Sequence, residues 1–562
     1  MDFLRRKSQV VNSALWAAFG DAIGFPTELV SDAGVQRRLG SPRAETLMPW
    51  SRIVGGKFGQ RVRLPAGSYS DDTQLRLATS RAIQASEGFD VESFSKVELP
   101  VWLSYALGAG KGSKAAASAL TSSSAAWFSN FFDTKASSYV QGGGNGACMR
   151  IQPHVWAAPN LSDPFSYQRN VIRNSVCTHG HMRGIAGATV HAASLAYVLD
   201  SGRLPDERAW INFTRDIQII PYLVEEDSDL STFWRPAWEE ASGCSLNQAV
   251  EIVCEEWVQA VLVARSRRGE SDVERYAYVL DSLGGRSAAE RGSGLKSALF
   301  ALVGAREFEG RGVRRGLIEI ANQLGSDTDT IASMVGALMG ATHDSEKGDS
   351  TVQDAAYLAS EAERLNGLAF GRAKQPFRYP DLLFWHPPKT ASDAVLIDED
   401  GFSLIGLGRL KLLEEAEPPG NRDSSYRWFS CDFGQTLLCK VRDNPRFGSA
   451  KTLADYRPRP EFRPSTLSLK AENKGADALD LFNRDGQKFA EKLAERSEQV
   501  ARVAPPDVGI DALTNRVISS GFDPKLIGSI INELCERDNY LELIVAFSAI
   551  IAKAKHARGK KK

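Results

Sequence analysis

The feature that most constrains this fold is a series of long apolar segments rich in alanine and glycine. They include VVNSALWAAFGDAIG, AGATVHAASLAYVLD, SGLKSALFALVGA and TIASMVGALMGA. Small residues let helices approach closely, and helices that are apolar on more than one face belong inside a large helical bundle. The sequence from about residue 8 to 372 therefore predicts many helices and few strands.

The character of the sequence changes after about residue 373, which indicates further domains, as expected for 562 residues. The segments AVLIDEDGFSLIGLGRLKLLEE and YRWFSCDFGQTLLCKV hold β-branched and aromatic residues, with DEDG as a turn between strands. They predict a small β-rich module. Helical patterning returns at about Ala476, and Asp523-Pro524 has the form of a helix start.

We therefore predict a mainly α protein of three domains. Residues 1–374 form a helical bundle, residues 375–465 a β-rich module with a linker, and residues 466–562 a small helical domain with a basic tail. The bundle holds most of the motifs described below.

Composition limits the partners and the location. Hydrophobic residues make up 43% and charged residues 24% of the chain, which is the balance of a soluble globular protein. No run of about 18 apolar residues predicts a membrane span, and the N-terminus lacks a secretory signal pattern, so we expect a cytoplasmic protein without a membrane partner. The net charge of -1 gives no general attraction to nucleic acid. The basic tail Lys553–Lys562 leaves a local contact with nucleic acid open.

Two acidic segments lie where a loop leads into a predicted helix: Ser70-Asp71-Asp72-Thr73 and Ser326-Asp327-Thr328-Asp329-Thr330. One interpretation makes them helix caps, since Asp and Ser accept hydrogen bonds from free backbone N–H groups. Asp71 and Gln74 would then form a capping box. However, two consecutive carboxylates in one segment and two alternating ones in the other supply more negative charge than a cap requires.

If the two segments converge, four carboxylates share one pocket. Like charges at about 4 Å repel by roughly 4 kcal/mol per pair at an effective dielectric constant of about 20, so a cation is needed to offset them. Neither Cys nor His accompanies the carboxylates, and hard oxygen ligands suit Mg²⁺ or Mn²⁺ better than Zn²⁺ or Cu²⁺. Asp327 and Asp329 could serve one or two ions, with Asp329 as a bridge.

Four motifs follow one another along the sequence: Gly20-Asp21-Ala22-Ile23-Gly24 with Glu28, Tyr69-Ser70-Asp71-Asp72-Thr73, Gly144-Asn145-Gly146-Ala147-Cys148-Met149-Arg150 and Gly325-Ser326-Asp327-Thr328-Asp329-Thr330. In this order they resemble the ADP-ribosylglycohydrolase family, which includes the dinitrogenase reductase-activating glycohydrolases. The resemblance covers about residues 8 to 345, and the pair Thr178-His179 also has a counterpart in the family.

The resemblance implies an all-α bundle that holds two Mg²⁺ ions, with Mn²⁺ as an alternative. It implies acid–base work by Glu28, with Asp71 and Asp72 also in the catalytic set. It further implies two groups of ligand-binding residues. The metal ligands are Ser70, Asp71, Asp72, Asp327, Asp329 and Thr330, and the substrate-binding residues are Gly142, Gly143, Gly144, Asn145, Gly146 and His179.

The chain departs from the family pattern at two positions. Ser70 stands where the family often has Thr, and Ser326 stands where it often has Gly. Neither change removes an oxygen ligand, so we expect the site to be intact. Without the resemblance, Glu28 would be interpreted as an exposed helix-end carboxylate, the glycine run as a surface turn, and His179 as a core residue.

The implied function is hydrolysis of the C1'' glycosidic bond that joins ADP-ribose to a modified protein or another target. Glycines in the loop permit positive φ and close approach, so that backbone N–H groups can hold a diphosphate. The alternatives are a non-catalytic ADP-ribose-binding protein, a structural relative, and a metal-dependent phosphohydrolase. The C-terminal modules are expected to recruit a partner, by analogy only.

Overall fold

The computed structural model describes residues 2–56, 59–84, 88–372, 376–414, 424–445, 510–520, 522–535, 547–548 and 550–551. The chain forms two compact units, Met1–Phe462 and Arg463–Lys562. Helices account for 54% of the structure, which confirms the predicted mainly α class. Within the described residues, no helix is both long and apolar enough to span a bilayer.

Helices build most of the first unit. Their bounds are α1 Phe3–Gly24, α2 Asp32–Leu39, α3 Asp71–Ala82, α4 Val91–Ser93, α5 Leu99–Trp102, α6 Lys111–Ala119, α7 Gln152–Trp156, α8 Gln168–Val176, α9 Met182–Ser201, α10 Glu207–Asn212, α11 Thr214–Gln218, α12 Ile220–Glu225, α13 Arg235–Ser242, α14 Leu246–Arg265, α15 Asp272–Ser282, α16 Gly294–Phe308, α17 Val313–Ala321, α18 Thr328–Gly340 and α19 Ala355–Ala369.

Helices α1 and α18 form the central pair of the bundle, and glycine lets them touch. A Cβ at Gly20 would lie 2.2 Å from the carbonyl oxygen of Ala332, and one at Gly336 would lie 2.2 Å from that of Trp16. Any side chain at either position would force the backbones apart. This close packing places the C-terminal end of α1 beside the first turn of α18, where the second acidic segment lies.

Strands form two small hairpins within the bundle and one larger sheet after it. Strands β5 to β9 pair in sequence order as a five-stranded antiparallel sheet, which confirms the predicted β-rich module and its DEDG turn. The strand bounds are β1 Trp50–Val54, β2 Gln60–Leu64, β3 Ile83–Gln84, β4 Gly88–Phe89, β5 Val395–Asp398, β6 Gly401–Leu404, β7 Gly408–Glu414, β8 Ser424–Cys431 and β9 Thr436–Arg442.

The five-stranded sheet packs against the helical bundle within the same compact unit. The backbone N–H of Lys440 in β9 donates to the carbonyl of Ser104 over 2.7 Å. The indole N–H of Trp428 in β8 donates to the carbonyl of Arg63 over 3.2 Å. Phe429 and Val441 are fully buried in the core that the sheet shares with the bundle. Sheet and bundle therefore fold around one hydrophobic core.

The second unit has a small core of its own. Its described helices are α20 Ile510–Ser519 and α21 Pro524–Cys535, and the start of α21 at Pro524 confirms the predicted helix start. Leu513, Val517 and Ile530 are buried together. The helical segment predicted after Ala476 and the tail Lys553–Lys562 lie outside the described residues.

Candidate active site

A cavity of about 290 Å³ opens where the ends of α1, α3 and α18 meet. Glu28 follows α1, the first turn of α3 carries two carboxylates, and the first turn of α18 carries the second acidic segment. The structure therefore brings the sequence motifs together. The predicted residues that line the cavity are Glu28, Asp71, Asp72, Gly142, Gly144, Asn145, Gly146, His179, Asp327, Asp329 and Thr330.

Two predicted residues lie just behind the cavity wall. Ser70 does not line the cavity, but its hydroxyl donates to Oδ2 of Asp72 over 3.2 Å. Gly143 does not line it either, and its carbonyl accepts a hydrogen bond of 2.9 Å from the backbone N–H of Gly294 in α16. Ser70 therefore supports a carboxylate that lines the cavity, and Gly143 ties the glycine-rich loop to the start of α16.

Five carboxylates, which we call the acidic cluster, face one another: Glu28, Asp71, Asp72, Asp327 and Asp329. Glu28, Asp327 and Asp329 each offer an oxygen within 4.8 Å of the others. Oδ2 of Asp72 accepts from the Thr330 hydroxyl over 3.3 Å. Oδ1 of Asp72 is buried without a hydrogen-bond partner among the described residues. An unpaired buried carboxylate oxygen is costly, so this donor set fits a hard cation.

Helix capping explains only part of the acidic cluster. Ser70 caps α3, because its side chain accepts from the backbone N–H of Asp72, so the predicted capping box from Asp71 to Gln74 is not the cap used. The Gln74 side chain is instead buried, and its amide donates to the carbonyl of Tyr105. Asp327 occupies the N-cap position of α18 but makes no side-chain cap hydrogen bond. The carboxylates are thus left free to face the cavity.

Burial and mutual repulsion raise the pKa values of Glu28, Asp71, Asp72 and Asp329. Burial, and then the charge of Asp327, raises the pKa of Glu28 to about 7. Burial, and then the charge of Glu28, raises the pKa of Asp71 and that of Asp329 well above the ordinary carboxyl range. Burial does the same to the pKa of Asp72. A cation in the cavity would oppose all of these shifts.

The glycine-rich loop lies against His179 at close range. A Cβ at Gly146 would lie 2.7 Å from the Ser113 hydroxyl and 2.9 Å from Cε1 of His179. None of the four glycines in residues 142–146 has a positive φ, although glycine would permit one. Glycine is required by close approach instead, because a side chain at Gly146 would collide with two neighbours.

Hydrogen bonds fix the polar residues of this wall. The amide of Asn145 donates to Oδ2 of Asp327 over 2.9 Å, which ties the loop to the acidic cluster. Nδ1 of His179 lies 2.7 Å from the Thr178 hydroxyl, which itself accepts from Arg150. Burial, and then the charge of Arg150, lowers the pKa of His179 to about 3. His179 is therefore a neutral hydrogen-bonding residue at physiological pH.

Sequence reasoning missed the role of Asp21. Its two carboxylate oxygens accept from the backbone N–H of Ser70 over 2.8 Å and from the N–H and hydroxyl of Thr73 over 2.9 and 2.6 Å. Asp21 is fully buried and holds the start of α3 against α1. Its place in the first motif was the available signal, but a carboxylate that binds a distant backbone leaves no local pattern.

Several cations around the acidic cluster were also not predicted. Lys111 lines the cavity, and the charge of Lys114 acts on Asp71. Arg38 and Arg52 act on Glu28, and both guanidinium groups lie over the Trp50 ring, at 5.2 and 5.8 Å. None of these residues belongs to a motif, so the sequence offered no signal for them.

The model of the ADP-ribosylglycohydrolase family matches residues 4–353, which is more than half of the chain. The chain belongs to the ADP-ribosylglycohydrolase family. Membership supports a glycohydrolase function in general, a hydrolase activity, and ADP-ribosylated substrates as the class on which the family acts. The family is metal-dependent, and the acidic cluster could bind a metal.

Comparison with other proteins adds little to the family assignment. A solved structure described as an ADP-ribosylglycohydrolase-related protein complex aligns with 66% of this chain and with all of its own length, at 18% identity and a TM-score of 0.39. An alignment at this identity and score does not bear on the activity. No curated protein matches the chain.

Proposed function

We propose that this protein is a Mg²⁺-dependent hydrolase that removes ADP-ribose from a modified target by cleaving the glycosidic bond at C1''. The observation that supports the proposal is the convergence of Glu28, Asp327 and Asp329 in a cavity whose wall includes the glycine-rich loop. Clustered carboxylates fit a metal that binds sugar hydroxyls, and exposed backbone fits a diphosphate. ADP-ribose carries both groups.

We assign metal binding to six residues, and two observations support the assignment. The donor set consists of oxygen atoms, and one carboxylate oxygen of Asp72 is buried without a partner among the described residues. When bound, two Mg²⁺ or Mn²⁺ ions would act as Lewis acids that orient the ribose hydroxyls and a water. The assigned residues are Ser70, Asp71, Asp72, Asp327, Asp329 and Thr330.

Glu28 is the proposed acid–base group. Hydrolysis forms a bond between a water oxygen and C1'' and breaks the bond from C1'' to the nitrogen or oxygen of the target. The proton lost by the water must reach the leaving atom, and the Glu28 carboxyl, which lines the cavity beside the proposed metal ligands, is placed to accept and return it. Asp71 and Asp72 line the same cavity and would stabilise positive charge that develops at C1''.

The substrate-binding wall would hold the rest of ADP-ribose. We assign the diphosphate to residues 142–146, because close packing of Gly146 against His179 leaves the loop backbone at the cavity surface. His179, kept neutral by burial, is assigned a hydrogen bond to the ligand. We also propose residues 1–374 as the catalytic domain. Residues 375–465 and 466–562 are proposed to recruit the ADP-ribosylated protein or other target.

The test incubates Mg²⁺-loaded protein with arginine-linked, serine-linked and other defined ADP-ribosylated targets and measures the released product by chromatography. Release of intact ADP-ribose from at least one target is expected. Glu28→Gln should keep ADP-ribose binding in calorimetry but lower turnover by about 10²–10⁴-fold, since it keeps the shape and removes the titrating proton. Glu309→Gln, which changes an exposed carboxylate paired with Arg306, is the control and should be fully active.

Other products would identify a different function. Release of AMP instead of ADP-ribose would indicate cleavage of the diphosphate and would favour a phosphohydrolase. ADP-ribose binding without release from any target would favour a non-catalytic binding protein. Full turnover by Glu28→Gln would move the acid–base role to another carboxylate of the acidic cluster.

A further inference from the structure

The turn between β8 and β9 reaches the segment that directly precedes the first acidic motif. The backbone N–H of Thr436, the first residue of β9, donates to Oδ2 of Asp354 over 2.7 Å. The same oxygen accepts the hydroxyl of Tyr69, also over 2.7 Å. Tyr69 is bonded directly to Ser70 in the chain. One carboxylate therefore connects the five-stranded sheet to the residue before the acidic motif.

Gln435, the residue before β9, makes a second connection between the sheet and Tyr69. Its amide nitrogen donates to the Tyr69 hydroxyl over 3.4 Å, and its carbonyl oxygen accepts from Arg81 over 2.7 Å. Tyr69 and Gln435 are 1% and 0% exposed. Water cannot replace a lost partner at such depth, so each of these hydrogen bonds constrains the position of the groups that it joins.

Gln353 holds the backbone of the same segment. Its N–H donates to the carbonyl of Gly67 over 3.0 Å, and its side chain accepts from the Ser68 hydroxyl and donates to the Thr436 carbonyl, both over 3.0 Å. Gly67 has a φ of +80°, and a Cβ there would lie 2.7 Å from the carbonyl of Thr351. Residues 67–69 are thus held in place by a backbone hydrogen bond, by side-chain hydrogen bonds and by the lack of space for a Cβ at Gly67.

We propose that Tyr69 is a positioning residue for the metal centre and that the five-stranded sheet fixes it in place. The inference rests on the metal-binding role proposed above for Ser70, Asp71 and Asp72. Through Asp354, Gln435 and Thr436, the sheet sets the direction in which the chain enters α3, and with it the direction of those three ligands. The five-stranded sheet would then support metal binding in the cavity, in addition to any recruitment of a partner.

The test compares two tyrosine variants that each lose one buried hydroxyl. Tyr69→Phe removes the 2.7 Å bond to Asp354. Tyr379→Phe removes a 2.7 Å bond to Glu98, which is connected to Tyr69 only indirectly, through Arg81 and Gln435. Mg²⁺ affinity of the full chain is measured by calorimetry, and melting temperature is measured without metal. Tyr69→Phe should bind Mg²⁺ about 10–100-fold more weakly, as is typical when an outer-shell partner is lost. Tyr379→Phe should bind Mg²⁺ as the wild type does.

A second variant guards against a folding defect. Asp354→Asn removes the shared charge and should weaken Mg²⁺ binding in the same direction. Combined with Tyr69→Phe it should add little, because both changes break one interaction. Equal Mg²⁺ affinity in the wild type, Tyr69→Phe and Asp354→Asn would overturn this inference but not the proposed metal centre. The same conclusion would follow if Tyr379→Phe weakened Mg²⁺ binding as much as Tyr69→Phe does. Failure of the wild type to bind Mg²⁺ would overturn the metal centre and the inference with it.

Discussion

Two groups of buried and half-buried charged residues in this unit differ in whether an ion pair within the chain balances their charge. In the first, Arg81 donates to both carboxylate oxygens of Glu98 over 2.7 and 2.8 Å, and Tyr379 donates to the same carboxylate. The Arg81 guanidinium also lies 5.7 and 5.1 Å from the rings of Phe377 and Phe433. In the acidic cluster, no carboxylate forms an ion pair among the described residues.

The pKa shifts show the same difference. Burial alone would lower the pKa of Arg81, but the Glu98 carboxylate reverses the effect and raises that pKa above its usual value. In the acidic cluster, burial and neighbouring carboxylates act in the same direction, and the pKa of Glu28 reaches about 7. A buried charge is tolerated when a partner compensates it. The Arg81 group, which consists of Arg81, Glu98 and Tyr379, has its counter-charge within the chain. No ion pair among the described residues balances the acidic cluster, which could bind a metal.

The largest expected effect on stability comes from unbalancing the Arg81 group. Glu98→Gln should lower the free energy of unfolding by about 3–5 kcal/mol, because it leaves a buried guanidinium without its counter-charge. Glu309→Gln breaks an exposed pair with Arg306 and should cost less than about 1 kcal/mol. Thermal melting of both variants measures the difference. Similar small losses in the two variants would show that the Arg81 group does not depend on its internal charge balance.

A smaller effect of opposite sign is expected in the acidic cluster. Asp329→Asn should raise the stability of the metal-free protein by about 1–3 kcal/mol. That is less than the Coulomb repulsion of a close pair, because the raised pKa of Asp329 reduces the charge that the substitution removes. The same variant should lose Mg²⁺ affinity. The loss should be larger than in Thr328→Ser, because the Thr328 hydroxyl donates to the Gly24 carbonyl and is not an assigned metal ligand. Calorimetry and melting without metal test both statements. A destabilised metal-free Asp329→Asn would mean that the cluster is already balanced.

The smallest expected effect is a pH dependence that is confined to the metal-free protein. A carboxyl with a raised folded pKa binds a proton that the unfolded chain has lost, so its contribution to stability is full below its ordinary pKa. For Glu28 that contribution is lost as the pH rises from about 4.5 through about 7. The melting temperature should therefore fall from pH 5 to pH 8, by about 1 °C for each kcal/mol lost in a unit of this size.

Saturating Mg²⁺ should reduce this slope, because a cation favours the deprotonated carboxylates. Melting curves at several pH values, with and without Mg²⁺, provide the measurement. A metal-free melting temperature that is constant or rises over this range would contradict the assignment of raised pKa values to the acidic cluster.

The sequence predicted the acidic cluster far better than the Arg81 group. Motifs that include Glu28 and Asp329 can be recognised because each stands at a helix end in a short local pattern. The Arg81 group could not be predicted, since Arg81 and Glu98 belong to no local motif, and Gln435 reaches Arg81 only when the sheet packs on the bundle. The role of Asp21 was missed for a similar reason, because its hydrogen bonds join α1 to the start of α3.

The boundary at residue 374 remains a prediction, although sheet and bundle lie in one compact unit, Met1–Phe462. Composition shows where helix-forming sequence gives way to strand-forming sequence. It does not show whether the two parts share a core, which depends on long-range contacts such as that of Lys440 with Ser104. The inference on Tyr69 implies that a fragment ending at residue 374 would lose Mg²⁺ affinity.

The central claim is that the acidic cluster needs divalent cations for both hydrolysis and stability, and chelation tests it most directly. The full chain is dialysed exhaustively against a chelator, and ADP-ribose release and melting temperature are then measured before and after Mg²⁺ or Mn²⁺ is restored. We predict that chelation abolishes release and lowers the melting temperature and that either ion restores both, because a ligand that binds only the native state stabilises it by mass action. Release and melting temperature that stay unchanged in excess chelator would contradict the account and leave the carboxylates without a metal.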